Sequence, residues 1–174
     1  MPTVSAAEIE DLLRALARTE WPASKQDAVA LGTARGWTLT LETRRGVRFT
    51  TGLGTNDDRA NALIDPDAPP VGSVVDLTVH VSDRTPDDAG AVDAAFAEIR
   101  TAVEHELGVP TGFDRWENPR AVWDLSTGGR IVVQHLGDIV VLVLLSRDSA
   151  DLERDEARLG IDPNRVPGTG QEDL

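Results

Sequence analysis

The chain has no cysteine, which excludes a disulfide framework, a thiolate zinc site and a cysteine nucleophile at the outset. It has no tyrosine, and four tryptophans and three phenylalanines make up its aromatic content, so ring stacking is confined to a few positions. Positive charge is scarce. Lys and Arg number 17 against 30 Asp and Glu, and the net charge of −13 excludes a free nucleic-acid binder, because phosphates would be repelled instead of neutralised. Lys25 is the single lysine; with abundant alanine, this reads as a high-GC bacterial coding bias. Long hydrophobic runs are also missing. The longest aliphatic stretch, residues 139–145, is seven residues, far short of the ~20 that cross a bilayer as a helix. The start, Met1-Pro2-Thr3-Val4-Ser5, lacks the basic and apolar regions of a secretory signal, so a cytoplasmic protein with no membrane partner is expected.

What is present suits one hydrophobic core. An apolar fraction of 40% over 174 residues fits a single domain, expected over residues 1–162, with residues 163–174 as a flexible C-terminal tail. The charge is uneven. Residues 1–87 hold 13 acids and 9 bases, whereas residues 88–174 hold 17 acids and 8 bases, so most of the negative field comes from the second half.

Ser5-Ala6-Ala7-Glu8 has capping-box spacing, and Ile9, Leu12, Leu13 and Leu16 then follow one face of a helix. Trp21-Pro22 breaks it, and Ser24 and Asp27 open a second, short helix that stops near Gly36. From Trp37 the period becomes two: Trp37, Leu39 and Leu41 alternate with polar residues, as do Val47, Phe49 and Leu53, predicting a hairpin. Residues 54–72, rich in Asn, Asp and Pro, read as loop with room for one helical turn at 59–63. Val75, Leu77, Val79 and Val81 form a third strand. Thr85-Pro86 is a start signal for a long helix whose stripe is Val92, Phe96, Ile99, Val103 and Leu107, closed by Gly108 and Pro110. A three-stranded meander follows at residues 121–125, 131–136 and 139–145. Gly137-Asp138 suits a type II′ turn, and the last strand, aliphatic throughout, is expected at the centre of the sheet. Ser149 can cap a charged last helix ending at Leu159-Gly160. The expected fold is α+β, a mainly antiparallel sheet of about six strands with helices over one face, in the order ααβββαβββα.

No arrangement of residues announces chemistry. His80, His105 and His135 are isolated and lack a metal-ligand spacing. Gly52-Leu53-Gly54-Thr55 lacks the rest of a phosphate-loop fingerprint. Asn56-Asp57-Asp58 and Asp65-Pro66-Asp67 could offer oxygens to a cation, but turn and capping roles explain them as well. Glu104 and Glu106 flank His105 without a visible pocket to separate their pKa values, and there is no nucleophile elbow. No catalytic residue, metal site or cofactor is therefore assigned, and an enzyme is not expected. A binding surface remains. In the stretch from Gly112 to Pro119, Phe113 and Trp116 stand beside Asp114 and Glu117; the two rings either anchor a partner or tie the loop to the core. Asp57, Asp58, Asp151 and Asp155 are further partner-binding candidates, able to steer a basic protein.

Three stretches resemble small uncharacterised actinobacterial domains of secreted-toxin and type VII secretion loci: Trp21-Pro22 with Gly36-Trp37, Trp123-Asp124-Leu125 with Gly128-Gly129-Arg130, and residues 151–156 with Leu159-Gly160-Ile161-Asp162-Pro163. The resemblance implies an immunity or adaptor protein that acts by binding. The element order is also similar to the type III secretion chaperone fold, with three strands after the long helix where that fold has two. The expected function is thus a cytoplasmic immunity protein that occludes the basic active site of a toxin. The alternative is a secretion chaperone or adaptor for an exported substrate. The sequence leaves the oligomeric state open.

Overall fold

The computed structural model describes residues 1–114 and 119–161. Among them stand four helices, α1 (Ala6–Leu16), α2 (Lys25–Ala34), α3 (Ala89–Leu107) and α4 (Arg147–Arg158), and eight strands, β1 (Thr38–Glu42), β2 (Gly46–Thr50), β3 (Arg59–Asp65), β4 (Ser73–His80), β5 (Gly112–Asp114), β6 (Arg120–Asp124), β7 (Arg130–His135) and β8 (Val140–Leu145). The strands form one antiparallel sheet in the order β1-β2-β3-β4-β8-β7-β6-β5. It is two four-stranded meanders, β1–β4 and β5–β8, whose last strands meet in the middle.

Local signals set the helices. In α1 the Ser5 hydroxyl accepts the Glu8 N–H while the Glu8 carboxylate accepts the Ser5 N–H, and Ser24 and Asp27 form the same reciprocal cap on α2. Ile9, Leu12, Leu13 and Leu16 are fully buried, each worth about 1.5–3 kcal/mol of burial. Together with Val92, Phe96, Ile99 and Val103 of α3 they join the main core on the first face of the sheet, where Val79, Ile131, Val133, Leu142 and Leu144 point.

The sheet has two strands more than the sequence suggested. β3 lies in the stretch read as loop with a helical turn: Ala60, Ala62 and Ile64 face the core and Arg59, Asn61 and Leu63 face out. Two alanines gave that period too little hydrophobic contrast against the surrounding Asn and Asp. β5 is a three-residue edge strand held by β6. The order is therefore ααββββαββββα. Two helix starts also move: α3 is capped by Asp88, whose carboxylate accepts the Ala91 N–H, not by Thr85, and α4 by Ser146, which accepts the Ser149 N–H. Because an Asp or Ser three residues from the first candidate caps equally well, the period alone could not choose. A bulge at Thr40 moves the leucines of β1 to opposite faces, Leu39 opposite Phe49 and Leu41 opposite Arg48, and all five residues of this edge strand are exposed. β8, as expected, is central, between β4 and β7.

The helices do not all lie over one face. α1, α2 and α3 cover the first; α4 crosses the second, its side chains meeting Arg120 and Asp124 of β6 and Arg130 of β7. Beneath it Val122, Val132, Ile139, Val141 and Val143 form a smaller core. The continuous aliphatic run of β8 is thus buried on both sides.

Candidate functional site

The three histidines stand apart. His80 ends β4 on the second face, with Nδ1 3.2 Å from the Asp57 carboxylate. His105 lies on α3, 3.0 Å from Glu10 of α1. His135 faces the first core, its ring edge against Phe96; its Nδ1 accepts the Gly137 N–H at 3.0 Å, which puts the proton of the neutral ring on Nε2, 3.4 Å from Asp93. Each has its own carboxylate, on a different element. Among the described residues no group of three or more His, Asp or Glu side chains could hold a metal ion, and no helix is long and apolar enough to cross a membrane.

Asp57 is the centre of a polar cluster. Its Oδ2 accepts from Arg59 at 2.7 Å and from Arg84 at 2.9 Å, and Arg84 reaches on to Asp138 in the β7–β8 turn. Burial favours the protonated acid, but the Arg59 and Arg84 hydrogen bonds, with the nearby His80, outweigh it and hold the carboxyl below its usual range. His80 moves down as well: burial disfavours its charged form, and the attraction of Asp57 only partly offsets burial and the two arginines. Asp58 is engaged too, accepting from the Thr51 hydroxyl and from the Gly52 and Leu53 N–H groups. Both candidate acids are therefore held inside the chain: Asp57 joins the loop before β3 to the segment after β4, and Asp58 joins it to the residues after β2. Asp57 keeps 19% of its side chain exposed.

Phe113 of β5 packs on Phe96 at 6.4 Å between centroids and under the Arg100 guanidinium at 5.5 Å, which ties it to the core, while the residue stays 40% exposed. Asp114 ends β5 opposite Arg120. Trp116 and Glu117 lie outside the described residues.

Asp151 and Asp155 are on α4, and both face solvent. The helix is clamped from below. Glu153 takes Arg120 and Arg130 at 2.8–2.9 Å, and Arg154 takes Asp124 at 2.7 Å. Arg130, also 3.0 Å from Asp124, and Arg154 hold the Asp124 carboxyl below its usual range despite its burial. The outer face then carries Asp148, Asp151, Leu152, Asp155 and Leu159, with Leu152 61% and Leu159 75% exposed. Arg154 and Arg158 pair with Asp151 and Asp155 at 2.6 and 2.9 Å. Two exposed leucines thus stand among acids on a helix fixed to a sheet, the makeup of apolar positions within a charged rim. Sequence reasoning found the acids but missed the leucines. The signal was available as their seven-residue spacing on a helix otherwise charged.

A feature the sequence did not reveal lies behind Trp21-Pro22. A cavity of about 390 Å³ separates the α1–α2 connection from β4 and β8, lined by Ala15, Trp21, Ala28, Leu31, Leu77 and Leu144, with Arg18, Glu20 and Asp27 around it. On the other side of Trp21 a second hollow, about 270 Å³, runs to Arg147 and Asp148 at the start of α4.

A family model described as a Family of unknown function (DUF6301) matches residues 7–146. The matched stretch runs from the first turn of α1 to the cap of α4, so it takes in every strand and the cavity lining. The chain belongs to that family. Comparison with the curated proteins found no match, and neither did comparison with the solved structures.

Proposed function

We propose that this member of the family is a non-enzymatic binding protein that captures a basic protein partner on the outer face of α4, and that it serves as an immunity protein occluding the active site of a cognate toxin. The observation that carries the reading is the outer face itself: Asp148, Asp151 and Asp155 interleaved with the exposed Leu152 and Leu159, on a helix pinned to the sheet through Glu153 and Arg154. A pinned helix loses little freedom on binding, and a surface of net charge −13 speeds encounter with a basic partner. The resemblance of Trp21-Pro22, Trp123-Asp124-Leu125 and the α4 region to domains of toxin loci supports a toxin as that partner.

Co-expression with the protein encoded beside it tests this. The expected result is a complex that weakens with added salt and relieves growth inhibition. Replacing Asp148, Asp151 and Asp155 by Lys should lower affinity at least tenfold and abolish the rescue. Absence of both complex and rescue sinks the reading. The chaperone or adaptor alternative draws on β1, an edge strand exposed along its length with Leu39 and Leu41 on opposite faces, where an extended export substrate could pair. Protection of the β1 amides on adding the substrate, with α4 unaffected, would favour it.

A further inference from the structure

Resting on the partner reading above, we infer that the cavity behind Trp21-Pro22 is an anchor pocket that takes one large apolar side chain of the partner, from a segment whose neighbouring residues are Lys or Arg. The walls are apolar: Ala15, Ala28, Leu31, Leu77 and Leu144 line it beside Trp21. The cavity, about 390 Å³, is larger than the roughly 150 Å³ that suffices for a benzene ring, so it admits a phenylalanine side chain without rearranging the core. Small residues make the space, with alanines at both 15 and 28 where a leucine would fill it.

The wall without a polar tether is Trp21. Trp123 is locked by its indole N–H, which donates to the Gly108 carbonyl at 2.8 Å. The Trp21 indole nitrogen is buried with no hydrogen-bond partner, so packing alone, with its nitrogen edge against Gly129, holds that ring beside the cavity. Charge sets the flanking residues. Around the cavity stand Glu20, Asp27 and Arg18; around the adjoining hollow stand Asp148 and Arg147. Three carboxylates thus stand against two guanidiniums, which leaves the surroundings of the opening acidic by one charge. Glu20 and Asp148, both exposed, flank the opening as acids. The hollow leads to Asp148, the first acid of the outer face of α4, so a segment seated here continues onto the proposed partner surface.

The test uses the protein alone, with the tripeptides acetyl-Lys-Phe-Lys-amide, acetyl-Glu-Phe-Glu-amide and acetyl-Lys-Ala-Lys-amide, read by the NMR signal of the Trp21 indole N–H. The Lys-Phe-Lys peptide should shift it saturably, and the other two at least tenfold more weakly. Ala15→Phe, which fills the cavity from its partly exposed side, should lower Lys-Phe-Lys affinity at least tenfold with the Trp123 signal unmoved. If that variant does not fold, Glu20→Lys on the exposed rim should lower it about threefold, the scale of one surface charge pair. No saturable shift at millimolar peptide, equal binding of the Lys and Glu peptides, or full affinity in the folded Ala15→Phe protein overturns the pocket. Failure of the co-expression rescue alongside a saturable Lys-Phe-Lys shift would instead remove the toxin and keep the pocket.

Discussion

Gly32 sits inside α2 with no side chain because the Phe49 ring occupies the space; a Cβ there would lie 2.6 Å from a ring carbon. Alanine would improve helix propensity by about 1 kcal/mol. Phe49 is 1% exposed and cannot yield, so overpacking of about 1–3 kcal/mol wins. Gly32→Ala should therefore lower the chemical denaturation midpoint, where an unobstructed helix glycine would raise it. Asp76 shows the opposite kind of misfit. Burial on β4 pushes its carboxyl above the usual range, and the Thr78 hydroxyl at 3.3 Å only partly offsets this. A raised carboxyl pKa costs stability as pH climbs through its unfolded value of ~4 toward the folded one. Asp76→Asn keeps a carbonyl acceptor and should stabilise the protein at pH 7, with the gain vanishing below about pH 4. Asp57 and Asp124 carry the reverse sign. Held low by their arginines, they stabilise the fold above pH ~4 and lose that contribution as pH falls through their folded values. His80, held low by burial, loses its contribution as pH falls below about 6.5, where the unfolded ring protonates first. Unfolding midpoints of the wild type and of Asp57→Asn, followed from pH 7 to pH 2, should converge at the acid end.

Elements were legible in proportion to the contrast of their side chains. α1, α3 and β8 have long aliphatic periods and stand where the sequence put them, within a few residues. β3 was hidden because its core-facing positions are Ala60 and Ala62, and β5 because three residues carry no period at all. The face taken by α4 was not readable, since its contacts with the sheet are ionic and reach residues far apart in sequence: Glu153 to Arg120, 33 positions away, and to Arg130, 23 away. That clamp makes a prediction at its own scale. The side chains of Arg120 and Arg130 are only 16% and 12% exposed, so Glu153→Gln should cost about 1–3 kcal/mol, between a surface and a buried ion pair. The loss should be local. Amide exchange should quicken across α4 while β8 stays protected. If α4 keeps its protection, the helix is held by Ala150 and its cap instead.

At the scale of the molecule, the charge imbalance resolves into two uses. Some acids are internal ligands for arginine, as at Asp57 and Asp124; others, on α4, face outward. Composition could count them but not sort them, because sorting needs the sheet that brings Arg59, Arg84 and His80 around one carboxylate. The cavity behind Trp21 was out of reach for the same reason: its walls come from α1, α2, β4 and β8, and its floor residues read simply as core.

The two meanders share one strand joint, the β4–β8 ladder from Asp76–Leu145 to His80–Val141. Each half is knitted by hairpins between neighbours in sequence, with α1 and α2 belonging to the first half and α3 and α4 to the second. The chain crosses between halves once, through exposed residues 86–88 ahead of α3. A chain opened between Pro86 and Asp87 should accordingly behave as a two-part kit: separately expressed halves, mixed in solution, should re-form the β4–β8 ladder together with the α1–α3 packing and the Arg84–Asp138 pair that cross beside it, and recover the circular dichroism of the intact protein.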